Sequence, residues 1–431
     1  MDLLWVGVLG LCVMFLLIFL RVPVAVSMIL VSGSGILYVS GPVVLEASIR
    51  SVVWEHSQSY GLVTIPMFVL MGETLHSSGI THRLYGAFRS WIGHVRGGLA
   101  VATIGASGIF AAASGSSLAT ASTMGVVASR EMTNAGYSRS YAGGTIVAGG
   151  GLGILIPPST LLIIYGTLTE ESIGELLIAG ILPGIMLVGL LAFTAWLVVV
   201  VRPNLGPVGA KSRANEKLRA IGNVIPTVLL FVVVMGGMFL GLFSPTEASA
   251  VGAVGAMVIG STLGSLNLNT LWVSLLRTVR TTGFLFAILL AAFVMNYFLA
   301  VTGVPYVIAE SLAGLDVSRL AIFLFIVLVY LLLGAVMDSL AMVVITVPII
   351  FPIIVELGFS NIWFGIIVVI LVEIALITPP MGMNCFVLAG VTDLKLEEVF
   401  KGAAIYLIPL FAAVFILYLF PQVALFLPER M

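Results

Sequence analysis

Along this chain apolar residues neither alternate with polar ones nor form the one-sided stripe of a surface helix. They run on for about twenty residues at a time, the length a helix needs to cross a hydrocarbon layer. The pattern predicts membrane helices at residues 3–20, 22–40, 62–75, 176–201, 224–243, 247–266, 283–300 and 403–427. Four further apolar stretches are interrupted. Residues 99–137 are broken by Ser114-Gly115-Ser116-Ser117 and residues 320–359 by Met337-Asp338-Ser339. Residues 141–168 carry Pro157-Pro158, and residues 364–391 carry Pro379-Pro380. The interruptions are of two kinds, and each kind occurs twice.

The recurrence has a register. At an offset of 222, Pro23 falls on Pro245, Ser27 on Ser249 and Gly33 on Gly255. Ser116-Ser117 then falls on Asp338-Ser339, Gly136 on Gly358, Gly143 on Gly365, Pro157-Pro158 on Pro379-Pro380 and Glu175 on Glu397. Chance would align about 0.4 proline pairs. Three are present; two of them are adjacent, so the shared order of features weighs more than the number. The chain reads as an internal duplication, 1–222 and 223–431.

Charge orients the halves. Residues 81–98 carry Arg83, Arg89 and Arg96 and no acid, whereas their counterpart 304–319 carries Glu310 and Asp316 against Arg319. The loop 202–223 holds five Lys and Arg against Glu216, Arg277 and Arg280 mark another basic loop, and the turn 169–175 holds Glu170, Glu171 and Glu175. With every basic loop in the cytoplasm, both termini lie outside, provided 99–137 and 320–359 each return to the side they entered from. Equivalent segments then face opposite ways. Inverted repeats of this kind belong mainly to secondary transporters, with sites near the midplane at broken helices. The small polar tips favour re-entrant hairpins buried in protein, because exposed backbone is not tolerated in lipid. The fold class expected is therefore an all-α polytopic membrane protein.

Composition narrows the function. The chain is 60% hydrophobic and 9% charged, against roughly 25% charged for a soluble domain. That excludes an ordinary soluble enzyme and a disordered chain. The net charge of −1, with no basic stripe, excludes a nucleic-acid binder. Cys12 and Cys385 sit in apolar runs, which argues against a disulfide framework or a cysteine zinc site. Residues 3–20 read as a retained helix and not a secretory signal, since Asp2 is the only charge before Arg21 and no cleavage site precedes a polar mature chain. No zincin, Walker A or nucleophile-elbow pattern supports an intramembrane hydrolase or an ATPase.

The interruptions carry the candidate chemistry. A turn at membrane depth leaves amides and carbonyls without helical partners, and hydroxyls and carbonyls suit a hard cation such as Na⁺. At the first tip, Gly115, Ser116 and Ser117 fit that use; small residues that allow close helix packing are the alternative. At the second, Asp338 takes the place of Ser116. A carboxylate there is a cation ligand or proton carrier, or else caps its own helix. Pro158 frees carbonyls upstream, near Gly153, and the next half-helix presents its N-terminus. Residues 377–384 repeat that design. Glu73 and Glu247 read as structural or interfacial, His56, His76, His82 and His94 as interfacial, and Glu373 stays open between a packed and a cavity-facing role.

Several of these segments carry a resemblance. Gly108-Ile109-Phe110, Ser114-Gly115-Ser116-Ser117-Leu118-Ala119-Thr120, Gly136-Tyr137 and Gly153-Ile154-Leu155-Ile156-Pro157-Pro158-Ser159 resemble the large membrane subunit of the TRAP (tripartite ATP-independent periplasmic) transporters. Ile65-Pro66-Met67-Phe68 with Gly72-Glu73, Gly97-Gly98-Leu99-Ala100 and Thr378-Pro379-Pro380-Met381-Gly382-Met383-Asn384 fit the same pattern. The resemblance implies a Na⁺-coupled importer of organic acids in a bacterial or archaeal cytoplasmic membrane. It also implies a soluble periplasmic substrate-binding protein and a small four-helix membrane subunit, expected as a separate polypeptide. The mechanism implied is an elevator. Residues 1–97 and 223–319 would form scaffold and arm, 98–201 and 320–431 the transport part, and 202–222 a cytoplasmic linker. One Na⁺ site would use Gly115, Ser116, Ser117, Gly153 and Pro157, and a second Gly334, Asp338, Thr378 and Met381. Ser116, Ser159, Asp338 and Asn384 would contact substrate. A stand-alone Na⁺/carboxylate symporter of related architecture, or a channel, is the alternative.

The topology is testable. Single cysteines at Ser90 and Ser311 should react with an impermeant reagent from opposite sides of the membrane in intact spheroplasts. Labelling of both from one side would remove the inverted repeat.

Overall fold

The computed structural model describes residues 2–209, 211–263, 266–313 and 318–431. The described residues are helical throughout their regular structure, and six helices are long and apolar enough to cross a membrane. Asp316 of the expected acidic segment lies outside the described residues.

Helix ends differ from the ends of the apolar runs, because caps set the first and lipid contact the second. The run at 22–40 belongs to a longer helix, Val24–Ser57, bent where Gly41 takes φ 84° ahead of Pro42. The run at 283–300 is the second half of Leu268–Thr302, 35 residues, roughly 50 Å at 1.5 Å per residue. Asn267 starts it by accepting from the Thr270 amide at 2.9 Å. The basic loop expected at Arg277 and Arg280 is thus the interior of a helix. Residues 81–98 and 304–319 are also largely helical, as Ile80–Ile92 and Val304–Ala313. Glu247 stands in the first turn of Pro245–Thr262, and its Oε2 accepts from the Ser244 amide at 2.8 Å.

Both hairpins and both broken helices are present. The first hairpin joins Gly98–Ser114 to Ser117–Asn134, and the second joins Arg319–Leu333 to Ser339–Glu356. The first broken helix is Arg139–Gly151, a tight turn at Leu152–Ile154, then Thr160–Thr169. The second is Asn361–Ile377 followed by Met383–Val391. At the 222 offset Ser116 and Asp338 each begin the second helix of their hairpin, and Pro157-Pro158 and Pro379-Pro380 both hold cis peptide bonds. Gly136 and Gly358, the glycines that follow the hairpins, both take positive φ, 86° and 72°.

Around the breaks the helices close on glycine. Arg139–Gly151 crosses Leu396–Leu419 where Gly144 faces Gly402, and a Cβ at Gly402 would run into the Ser140 carbonyl. On the same contact Tyr406 and Thr145 share a hydrogen bond of 2.7 Å. Gly72 rests on the end of the first hairpin helix, where a Cβ would stand 2.8 Å from the Ala113 carbonyl oxygen.

The crossing generates a stability prediction. Gly402→Ala should cost about 1–3 kcal/mol through overpacking, although alanine favours a helix intrinsically. Gly390→Ala, at a glycine with nothing within 4 Å of its missing Cβ, should be neutral or mildly stabilising. Thermal unfolding of the two variants in detergent should therefore separate them; equal melting temperatures would show that the Gly144–Gly402 contact tolerates a methyl group.

Candidate functional site

The first tip and the first break are built against each other. Gly98–Ser114 ends at Gly115, whose φ of 62° turns the chain. Ser116 caps the following helix, its hydroxyl accepting from the Ala119 amide at 3.4 Å. Thr120 donates to the Ser116 carbonyl at 2.8 Å, and its hydroxyl lies 2.7 Å from that of Ser114. Pro157 has no N–H, so the Gly153 carbonyl loses its helical donor; Pro158 does the same to Ile154. The Ser159 hydroxyl makes good the second loss by donating to the Ile154 carbonyl. The two elements then touch. A Cβ at Gly153 would stand 2.7 Å from Thr120 Oγ1 and collide with the Ser116 carbonyl, and one at Gly115 would lie 2.6 Å from the Pro158 carbonyl oxygen. The Thr160 amide donates to Gly115 at 3.4 Å.

This donor set fits a hard cation. Its groups are carbonyl and hydroxyl oxygens, and the Ser117 hydroxyl is buried with no hydrogen-bond partner among the described residues. The structure brings Gly115, Ser116, Ser117 and Gly153 together, with Pro157 completing the break.

The second half differs in detail. Asp338 Oδ1 accepts from the Leu340 and Ala341 amides at 2.9 and 3.0 Å. The capping role weighed for this residue is therefore real, and it leaves the second carboxylate oxygen for other use. A Cβ at Gly334 would run into Ala375, three residues before Thr378, so the second hairpin meets the second broken helix there. Thr378 turns its hydroxyl back to the Ile374 carbonyl at 2.5 Å. Pro379, Pro380 and Met381 are exposed, whereas Pro157 and Pro158 are buried.

A cavity of about 480 Å³ opens beside the first tip. Gly115, Ser116 and Ser117 line it, and from the second tip Ser339 and Leu340 do. Ser159 and Asn384 do not reach it. Both are fully buried; Ser159 serves its own half-helix, and Asn384 Nδ2 donates to Glu373 Oε1 at 3.0 Å. Glu373 is packed in the protein at 2% exposure and is not on the cavity wall. Three residues that sequence reasoning set aside are on that wall: Glu73, His76 and Arg277. His76 Nδ1 lies 3.0 Å from the Thr123 hydroxyl of the first hairpin. Glu73 and His76 are three apart on Thr64–Ser77 and share a face; that spacing was the available signal. Arg277 sits among apolar residues, and only the length of its helix distinguishes it from a loop charge.

A helical membrane protein whose two hairpins meet two broken helices beside an internal cavity has the architecture of a secondary transporter. The model of the family described as "Tripartite ATP-independent periplasmic transporter, DctM component" matches residues 11–423. The chain belongs to that family and is the large membrane subunit of a TRAP transporter, not an enzyme. It is 36% identical to the C4-dicarboxylate TRAP transporter large permease protein DctM of Pseudomonas aeruginosa, over 89% of this chain and 90% of that one. It is 32% identical to the sialic acid TRAP transporter large permease protein SiaM of Vibrio cholerae, over 86% and 87%. Its fold is that of the YdaH transporter of Alcanivorax borkumensis, with a TM-score of 0.65 over 91% of this chain and 89% of that one at 15% identity. Membership makes this a multi-pass protein of the bacterial inner membrane, working with a small membrane subunit and a periplasmic binding protein.

Proposed function

We propose that this chain carries a small organic acid (a dicarboxylate, a sugar acid or similar) inward on a Na⁺ gradient. The acid arrives from the periplasmic binding protein, and a four-helix small subunit braces the chain in the bilayer. The observation behind this reading is the cavity of about 480 Å³ walled by the Ser116 tip. Its volume falls in the range of small-molecule sites, about 300–1,000 Å³. The names of both relatives refer to acids of that size class.

Na⁺ would supply positive charge at the tips, where the chain offers oxygen donors. Gly115, Ser116, Ser117, Gly153 and Pro157 would hold one ion, and Gly334, Asp338, Thr378 and Met381 a second. Ser116, on the cavity wall, would also contact substrate, as would Asp338, which caps the second tip one residue before the cavity-lining Ser339. Ser159 and Asn384 act as supports of the breaks. An elevator is the movement this reading takes, supported by a cavity walled by the hairpin tips on one side and by Thr64–Ser77 with Leu268–Thr302 on the other. Residues 98–201 and 320–431 move; 1–97 and 223–319 stay, linked through 202–222, with both termini periplasmic.

Two experiments test the coupling. In liposomes containing the three components, uptake should require an inward Na⁺ gradient and no ATP; uptake unchanged when K⁺ replaces Na⁺ would sink the reading. Asp338→Asn keeps a side-chain oxygen able to cap the hairpin helix, so the protein should still insert. Loss of one charged ligand is worth about 1.5–3 kcal/mol, roughly a ten- to hundredfold rise in the Na⁺ concentration needed. Wild-type Na⁺ affinity and stoichiometry in this variant would place the carboxylate outside the coupling site.

A further inference from the structure

The charged groups of the cavity lie on the wall facing the hairpin tip. Arg277 is the one Lys or Arg among its lining residues, and Glu73 the one carboxylate. They are loosely paired, with Nη1 3.7 Å from Oε2, well beyond the roughly 2.7–2.9 Å of a charge-assisted hydrogen bond. The Arg277 side chain is half exposed. Glu73 Oε2 is enclosed and has no hydrogen-bond partner among the described residues. The wall itself is firm: Ser274 Oγ, one turn before Arg277, lies 3.2 Å from the Glu73 carbonyl oxygen and 2.9 Å from Ser77 Oγ.

A guanidinium presents a planar fork of donors that matches a carboxylate in two parallel hydrogen bonds. Glu73 does not use that fork, although it stands beside it. An anion free to orient in the cavity can approach Arg277 in the geometry that Glu73, fixed on its helix, does not adopt. We propose that Arg277 is the specificity-determining residue of this transporter: it takes a carboxylate of the incoming acid, and Glu73 is the resident competitor from which that carboxylate releases it. The inference rests on the cavity being the substrate site. Glu73 and Arg277 form one pair, yet they act on anion affinity with opposite sign. Without Arg277 the wall keeps only a negative charge; without Glu73 the cation is unopposed. An ion pair that served only to join two helices would show the same sign at both positions.

The complete three-component transporter in liposomes, with a Na⁺ gradient, provides the test. Labelled succinate, N-acetylneuraminate and gluconate are offered, and the acid taken up best by the wild type becomes the probe. Arg277→Gln should raise its KM about ten- to hundredfold and leave the half-saturating Na⁺ concentration within about twofold. Glu73→Gln should lower the KM severalfold. An unchanged KM in Arg277→Gln, or shifts of the same sign in both variants, would overturn the assignment while leaving the cavity as the substrate site. If Arg277→Gln does not insert, Arg277→Lys keeps the charge and loses the fork; a raised KM supports the assignment and an unchanged one overturns it. A wild-type transporter that takes up none of the three acids overturns the substrate class, and the assignment with it.

Discussion

In hydrocarbon a backbone N–H or C=O without a partner has no water to turn to, so a helix that stops at membrane depth must have its end satisfied by other protein. This chain stops four helices there and meets the constraint locally each time. Ser116 and Asp338 cap the returning helices of the hairpins. The Ser159 hydroxyl serves both the Ile154 carbonyl and the Leu162 amide. Thr378 returns its hydroxyl to Ile374. What remains unmet is as informative as what is met, because the Ser117 hydroxyl, without a hydrogen-bond partner among the described residues, lies where the tip and the break converge.

The same constraint explains where glycine is required. A tip can shield a broken helix only by close approach, and at Gly115 and Gly153 a single methyl would meet carbonyl oxygens of the other element. The crossing of Gly144 with Gly402 holds the first broken helix against Leu396–Leu419. These contacts join the hairpin and break as a firm unit, while the opposite wall belongs to helices held together by Ser274 and Ser77. The cavity lies between the hairpin and these helices, and His76 with Thr123 is a polar contact across it.

Much of this was legible in the sequence because the interruptions are covalent facts. A Pro-Pro pair breaks a regular helix, and the Ser-Gly-Ser-Ser run stands out through its match at the 222 offset, since Ser32-Gly33-Ser34-Gly35 stays helical within Val24–Ser57; the hairpins, the breaks and their duplication could be read from the two together. The pairing of the first tip with Gly153 came only from the family resemblance. Charge was less reliable. In the sequence Arg277 reads as a loop residue, since a charge in an apolar neighbourhood usually marks a membrane boundary; a helix that turns one polar side to an internal cavity defeats that assumption. Glu73 was hidden similarly, near the end of an apolar run. Asn384 and Ser159 read as substrate contacts from their position just after each proline pair; the structure places both off the cavity wall, with the Ser159 hydroxyl on Ile154, Asn384 Nδ2 on Glu373 and Asn384 Oδ1 without a hydrogen-bond partner among the described residues.

The duplication also places a limit on its own symmetry. Residues 151 and 373 are equivalents at the offset of 222, and they touch: a Cβ at Gly151 would run into the Glu373 carboxylate. Residues exchanged by a two-fold relation can meet only near its axis, so under the inverted repeat expected from the sequence this contact would mark the centre between the two breaks. An axial position has room for one side chain. Two glutamates would bury like charges against each other in an apolar interior, a costly arrangement, and two glycines would leave a void. Glycine in one half is therefore the condition for glutamate in the other. The partner that satisfies Glu373, Asn384, has Leu162 as its equivalent in the first half, so divergence at the axis extends to the residue that supports it. Inequivalence of the halves, seen also in Ser116 against Asp338, is here a consequence of packing two copies of one design around a shared point.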